Sequence, residues 1–188
     1  MSNKTALLLI DFINSMDFDG GENLLENTKE IVPNVKALKQ EAKEKGVPVI
    51  YVNDNFGLWQ DHVDDLIEDV KKGRGRPVIE ELEPSKDEYF ILKPKHSGFY
   101  GTQLDILLEQ LDVDQLIMTG IAGDICVLFT ANAAYMRGYD LWVPEDTAAS
   151  EYKEDNDNAL KIVRRSLQAD ISSTKDYSID DFMQKNKG

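Results

Sequence analysis

The chain of 188 residues contains a single thiol, Cys126, and what a lone cysteine can do depends on the groups brought to it. It stands at the end of Gly120-Ile121-Ala122-Gly123-Asp124-Ile125-Cys126, at the start of a segment with helical spacing. A free thiol has a pKa of about 8.5 and is mostly protonated at neutral pH, whereas the nucleophile is the thiolate. A helix N-terminus and a nearby ammonium favour the thiolate, and a carboxylate within hydrogen-bond reach can take its proton. Asp11 follows the apolar run Ala6–Ile10, and Lys93 follows the run ending at Leu92, so both groups are available. A bend at Gly120 to Gly123 can aim backbone N–H groups at a tetrahedral oxyanion, as acyl transfer requires. Each residue alone has a plainer explanation: Cys126 as a small buried hydrophobe, Asp11 as a turn cap, Lys93 as a surface charge. A shared position in the fold is what would make them a site.

Five apolar runs read as strands: Ala6 to Ile10, Val47 to Val52, Tyr89 to Leu92, Gln115 to Thr119 and Asp140 to Val143. Most are continuous rather than alternating, the pattern of strands covered on both faces. Helical spacing appears over Ile31 to Lys45, Val63 to Lys72, Gln103 to Leu111, Cys126 to Arg137 and Asn158 to Leu167, with Asp155-Asn156-Asp157 as caps for the last. A sixth strand is expected around Ile171 to Thr174. The alternation predicts an α/β fold: a doubly wound, mostly parallel, Rossmann-like sheet of about six strands with helices on both faces, in three α/β/α layers. Such sheets bind ligands at the carboxyl ends of their strands, where Asp11, Lys93 and Cys126 all fall. Residues 1–188 are read as one domain. The Gly/Arg-rich stretch Lys71 to Pro77 reads as a surface connection.

With 35 acidic against 21 basic side chains and a net charge of −14, the chain lacks the clustered positive charge that nucleic acid or an anionic membrane demands. No apolar run approaches the roughly 20 residues of a membrane helix, and Ala6–Ile10 is too short for a secretory core, so a cytoplasmic location is expected. A single cysteine excludes an internal disulfide. Neither a Gly-x-Gly-x-x-Gly turn nor a P-loop is present, which argues against a flavodoxin-like nucleotide or flavin binder; no cofactor is expected.

The blocks Leu8-Leu9-Ile10-Asp11, Lys93 ahead of Ser97-Gly98-Phe99, and Gly120 to Val127 resemble the three signature blocks of the isochorismatase-like cysteine hydrolases. Thr102 and Leu104, Thr130-Ala131, Ala133-Ala134, Gly138-Tyr139 and Asp146-Thr147-Ala148-Ala149 extend the resemblance over nearly the whole chain. It implies a Cys-Asp-Lys triad that cleaves a C–N bond of a small amide or ureido compound through a thioester-type intermediate. It also implies a cis peptide joining Ile121 to Ala122, with the Ala122 and Cys126 N–H groups facing the oxyanion. Vinyl-ether hydrolysis of the isochorismatase type, or a catalytically silent small-molecule binder, are the alternatives. The nicotinamidase branch binds a metal through an Asp-x-His pair and further histidines, whereas here Asp54 is followed two positions on by Phe56, and the one histidine of that stretch, His62, lies well beyond it. No metal is therefore expected, a non-standard site near Asp54 and His62 being left open. Phe56, Trp59 and Tyr100 are candidates for an aromatic substrate pocket, His96 for a loop position beside it. A homo-oligomer, dimer or higher, is the expected state.

Overall fold

The computed structural model describes residues 4–57 and 63–185. Among the described residues the six strands are β1 Thr5–Ile10, β2 Val49–Asp54, β3 Tyr89–Lys93, β4 Gln115–Ile121, β5 Asp140–Trp142 and β6 Ala148–Ala149. Their spatial order is β3-β2-β1-β4-β5, with β6 paired to the end of β4, and every pairing is parallel. The order reverses between β1 and β4, which opens a crevice at their carboxyl ends.

The apolar alternation within β1 explains the layering. Leu7 and Leu9 belong to one core, shared with residues of α1 Gly21–Glu44, α2 Val63–Val70, α3 Arg76–Leu82 and α7 Ile179–Gln184. Ala6, Leu8 and Ile10 point the other way, into a second core formed with α4 Leu104–Gln110, α5 Leu128–Tyr135 and α6 Lys153–Ser166. A strand buried on both faces needs no polar residue, which is why these runs are continuous. Among the described residues no helix is long and apolar enough to cross a membrane.

Several elements differ from the sequence expectation. The sixth strand is Ala148–Ala149, not Ile171 to Thr174, which contains no named strand. Asp146 accounts for the difference, because its carboxylate accepts the Thr174 N–H and both the Ser173 and Thr174 hydroxyls. The Ser172 N–H likewise goes to Asp170, so donors that a strand would offer a neighbour are already engaged. α1 begins at Gly21, ten residues before Ile31, and carries Pro33 in its interior. Buried Leu24, Leu25 and Thr28 supply the packing that outweighs the lost N–H bond. α6 starts at Lys153, so Asp155 to Asp157 lie inside it rather than capping it. The stretch Lys71 to Pro77 ends within α3, whose first turn contains Pro77.

Gly120 holds β4 close to β1. Its φ of 150° lies where side chains are strained, and a Cβ there would press on the Ile10 carbonyl and sit 2.7 Å from the Ile10 Cβ. Gly120→Ala is expected to cost about 2 kcal/mol or more and to lower the thermal midpoint by at least about 4 °C. A melting curve within about 1 °C of wild type would show that the two strands can part without cost.

Candidate active site

Asp11 leaves β1 in the left-handed region, with φ 56°, a conformation that Asp tolerates better than most residues. The turn directs its carboxylate along the sheet edge: Oδ1 accepts the Asp54 N–H at 2.6 Å and Oδ2 meets Lys93 Nζ at 2.8 Å. Lys93 closes β3, in register with Asp54 at the end of β2. Its side chain is fully buried, and its ammonium also reaches the Lys95 carbonyl at 3.1 Å, Asp54 Oδ2 at 3.3 Å and Cys126 Sγ at 3.4 Å.

The thiol arrives on a separate device. A cis peptide joins Ile121 to Ala122, and Gly123–Val127 then forms a π-helical turn ahead of α5. The Ala122 carbonyl accepts both the Ile125 and Val127 N–H groups, which leaves Cys126 half-buried on the turn. The structure therefore brings Asp11, Lys93 and Cys126 around one ammonium.

Electrostatics define the resting protonation. Burial pushes the Cys126 thiol up, the Asp11 carboxylate pushes it further, and Lys93 only partly opposes them, so the sulfur rests as a thiol. Burial also raises Asp11, against the pull of Lys93 and of hydrogen bonds from the thiol, the ammonium and the Asp54 N–H. For Lys93, burial works against the charge, but Asp11, Cys126 and Asp54 outweigh it and leave the ammonium above its ordinary range. A neutral thiol donating to a carboxylate of raised basicity is an arrangement for internal proton transfer.

Three polar side chains shape the crevice without any signal in the apolar pattern. Asn53, fully buried in β2, accepts from the Ile13 N–H at 3.1 Å and donates to the Ile13 carbonyl at 2.9 Å, tying down the loop after Asp11. Ser150 accepts the Asp124 N–H at 3.1 Å and is itself 3.4 Å from Asn156 Oδ1. A Cβ on Gly123 would collide with that Asn156 oxygen, so only glycine lets the turn approach α6.

Of the aromatic candidates, Phe56 follows Asp54 with φ 48° and is exposed, as is Tyr100. Trp59 and His62 lie outside the described residues. An aromatic pair that the sequence reading passed over is His96 with Phe129, centroids 5.6 Å apart, three residues beyond Lys93 and Cys126 respectively. The described residues do not fit a metal: no group of three His, Cys, Asp or Glu is arranged to hold one. The Asp54 carboxylate is directed to Lys93 and to the Phe56 N–H at 2.7 Å instead.

The isochorismatase domain model matches residues 5–176. The chain belongs to the isochorismatase family of hydrolases. It is 45% identical over 168 residues to the uncharacterized isochorismatase family protein YaaI of Bacillus subtilis, covering 89% of this chain and 93% of that protein. Among solved structures, N-carbamoylsarcosine amidase from Thermoplasma acidophilum superposes with a TM-score of 0.71 at 28% identity, over 91% of this chain and 96% of the amidase. Nicotinamidase PncA from Bacillus subtilis gives 0.71 at 27% identity, over 90% and 100%. This isochorismatase family member thus shares its fold with proteins named as amidases.

Asn53 offers a direct test of how the crevice is held. Asn53→Leu removes both partners of the buried Ile13 backbone, and we expect a loss of about 2–4 kcal/mol. Hydrogen exchange at the Ile13 amide should accelerate more than at β1; an Ile13 amide as protected as in wild type would refute the anchoring role.

Proposed function

We propose that this chain hydrolyses a C–N bond of a small amide or ureido compound, with Cys126 as nucleophile, Asp11 as base and Lys93 as the fixed positive charge. The observation that carries the reading is the buried ammonium 2.8 Å from the Asp11 carboxylate and 3.4 Å from the Cys126 sulfur. Asp11 takes the thiol proton as sulfur attacks the carbonyl carbon, and the negative charge passes to the carbonyl oxygen. The Ala122 and Cys126 N–H groups are the proposed donors to that oxygen. Collapse expels the amine, which takes the proton held on Asp11, and leaves a thioester. Water, deprotonated by Asp11, then attacks the thioester carbon; the acid departs and the proton returns to sulfur. Lys93 keeps its own protons throughout, because its raised pKa makes it a poor acid.

The relatives support the reaction class by their names, one an N-carbamoylsarcosine amidase and one a nicotinamidase. A sulfur hydrogen-bonded to a carboxylate favours acyl transfer over vinyl-ether hydrolysis, which needs protonation and water but no nucleophilic sulfur.

With nicotinamide, N-carbamoyl compounds and ureido acids as substrates and chelator present, wild type is expected to release ammonia. Cys126→Ala is expected to fall by about a thousandfold or more. Ammonia release by Cys126→Ala at the wild-type rate, or no turnover of any compound, would overturn the proposal; isochorismate, followed by absorbance, tests the vinyl-ether alternative.

The pH profile follows from the shifts. The base must be ionised, so activity falls as pH drops through the raised value of Asp11, placing the acid limb above the ordinary 3.8. Lys93, raised from 10.5, must stay charged, so its loss appears only above that value. The limbs belong to the coupled group rather than to one residue. A kcat/KM profile with its acid midpoint at or below 3.8 would contradict the assignment of Asp11.

A further inference from the structure

An ammonium has three N–H bonds, yet Lys93 Nζ has four acceptors within reach. Asp11 Oδ2 at 2.8 Å and the Lys95 carbonyl at 3.1 Å are the two nearest. Asp54 Oδ2 at 3.3 Å and Cys126 Sγ at 3.4 Å compete for what remains. A carboxylate accepts far better than a neutral thiol, so with Cys126 protonated the third N–H belongs to Asp54. A thiolate carries full charge and competes with Asp54 for that N–H on equal terms.

We propose that Asp54 is a positioning residue that holds the third N–H of Lys93 in the resting site and yields it to the sulfur when Cys126 loses its proton. The proposal rests on Cys126 being the nucleophile, as argued above. Asp54 can yield because its side chain is 28% exposed, so water can take the place of the ammonium, and its other oxygen is held by the Phe56 N–H. Asp11, 6% exposed, has no such replacement, and its Oδ2 can still accept an N–H after the carboxyl group has taken the thiol proton. With Phe56 two positions on, Asp54 faces an ammonium. The charged groups that meet Lys93 are Asp11 from the end of β1, Asp54 from β2 and Cys126 from the π-helical turn.

Alkylation of the only thiol by iodoacetamide, followed by mass spectrometry of the full chain, tests this without any substrate. Asp54→Asn keeps an oxygen for the Phe56 N–H but replaces the competing acceptor with a donor. Its alkylation rate at pH 8 is expected to rise about threefold or more over wild type, with the midpoint of the pH–rate curve lower by roughly half a unit. In a Lys93→Met background the same substitution should change nothing, because the effect passes through the ammonium. A rate equal to or below wild type in folded Asp54→Asn, or an acceleration that persists without Lys93, would overturn the proposal. Asp54→Ser, judged by the same two criteria, replaces Asp54→Asn should the latter fail to fold by circular dichroism. If the amide panel shows no turnover while the alkylation ratio holds, the hydrolase reading fails and the role of Asp54 stands.

Discussion

Burying an ammonium away from water costs several kcal/mol unless opposite charge and hydrogen bonds meet it, and Lys93 is fully buried. Much of the architecture at this edge of the sheet serves that requirement. β1, β2 and β3 lie side by side and parallel, so that Asp11, Asp54 and Lys93 emerge together at their carboxyl ends. The positive φ of Asp11 turns its carboxylate to the ammonium, and the Asp54 N–H fixes the second oxygen. Removing one member of such a set leaves an uncompensated charge, a loss of about 3–5 kcal/mol. The lysine is therefore a structural commitment as much as a chemical one.

That commitment shapes the reactivity of the sulfur. A lone cysteine beside a lysine at a helix start invites the expectation of a standing thiolate, but two carboxylates already claim the ammonium. The thiol stays protonated, and its activation depends on a proton acceptor whose own basicity burial has raised. In the proposed mechanism the thiol is activated only by this internal acceptor, as a carbonyl is positioned against it.

How much of this was legible in the sequence depends on the kind of interaction involved. Continuous apolar runs ending in a charged residue revealed β1 and β3 together with Asp11 and Lys93; β1 is buried on both faces, whereas β3, at the end of the sheet, is only partly buried. The glycines before Cys126 marked the bend ahead of it, but not the close approach of Gly120 to β1 or of Gly123 to α6. Side chains that satisfy backbone groups left no periodic trace. Asn53 sits inside a strand as its polar exception, Ser150 follows an unremarkable pair of alanines, and Asn156 passes for a helix cap. The competing strand at Ile171 to Thr174 failed for the same reason, since Asp146 captures its donors from 25 or more residues away. Asp54 was visible as a residue but not in its role, which depends on strand register with Lys93.

The position of Cys126 shows why these unpatterned contacts matter. Cys126 is carried by a turn between two rigid bodies, β4 on one side and α6 on the other. Gly120 lets β4 lie close to β1 and Gly123 lets the turn approach α6, while Ser150, bonded to Asn156, holds the turn by a hydrogen bond rather than by apolar packing. Apolar contact alone is tolerant of displacements of several tenths of an ångström, whereas a hydrogen bond to a buried backbone N–H is directional and is lost with small rotations. A sulfur that has to meet both Lys93 and Asp11 requires the directional kind of restraint. The polar residues behind the turn therefore hold the thiol beside Lys93, where the proposed proton transfer and attack require it.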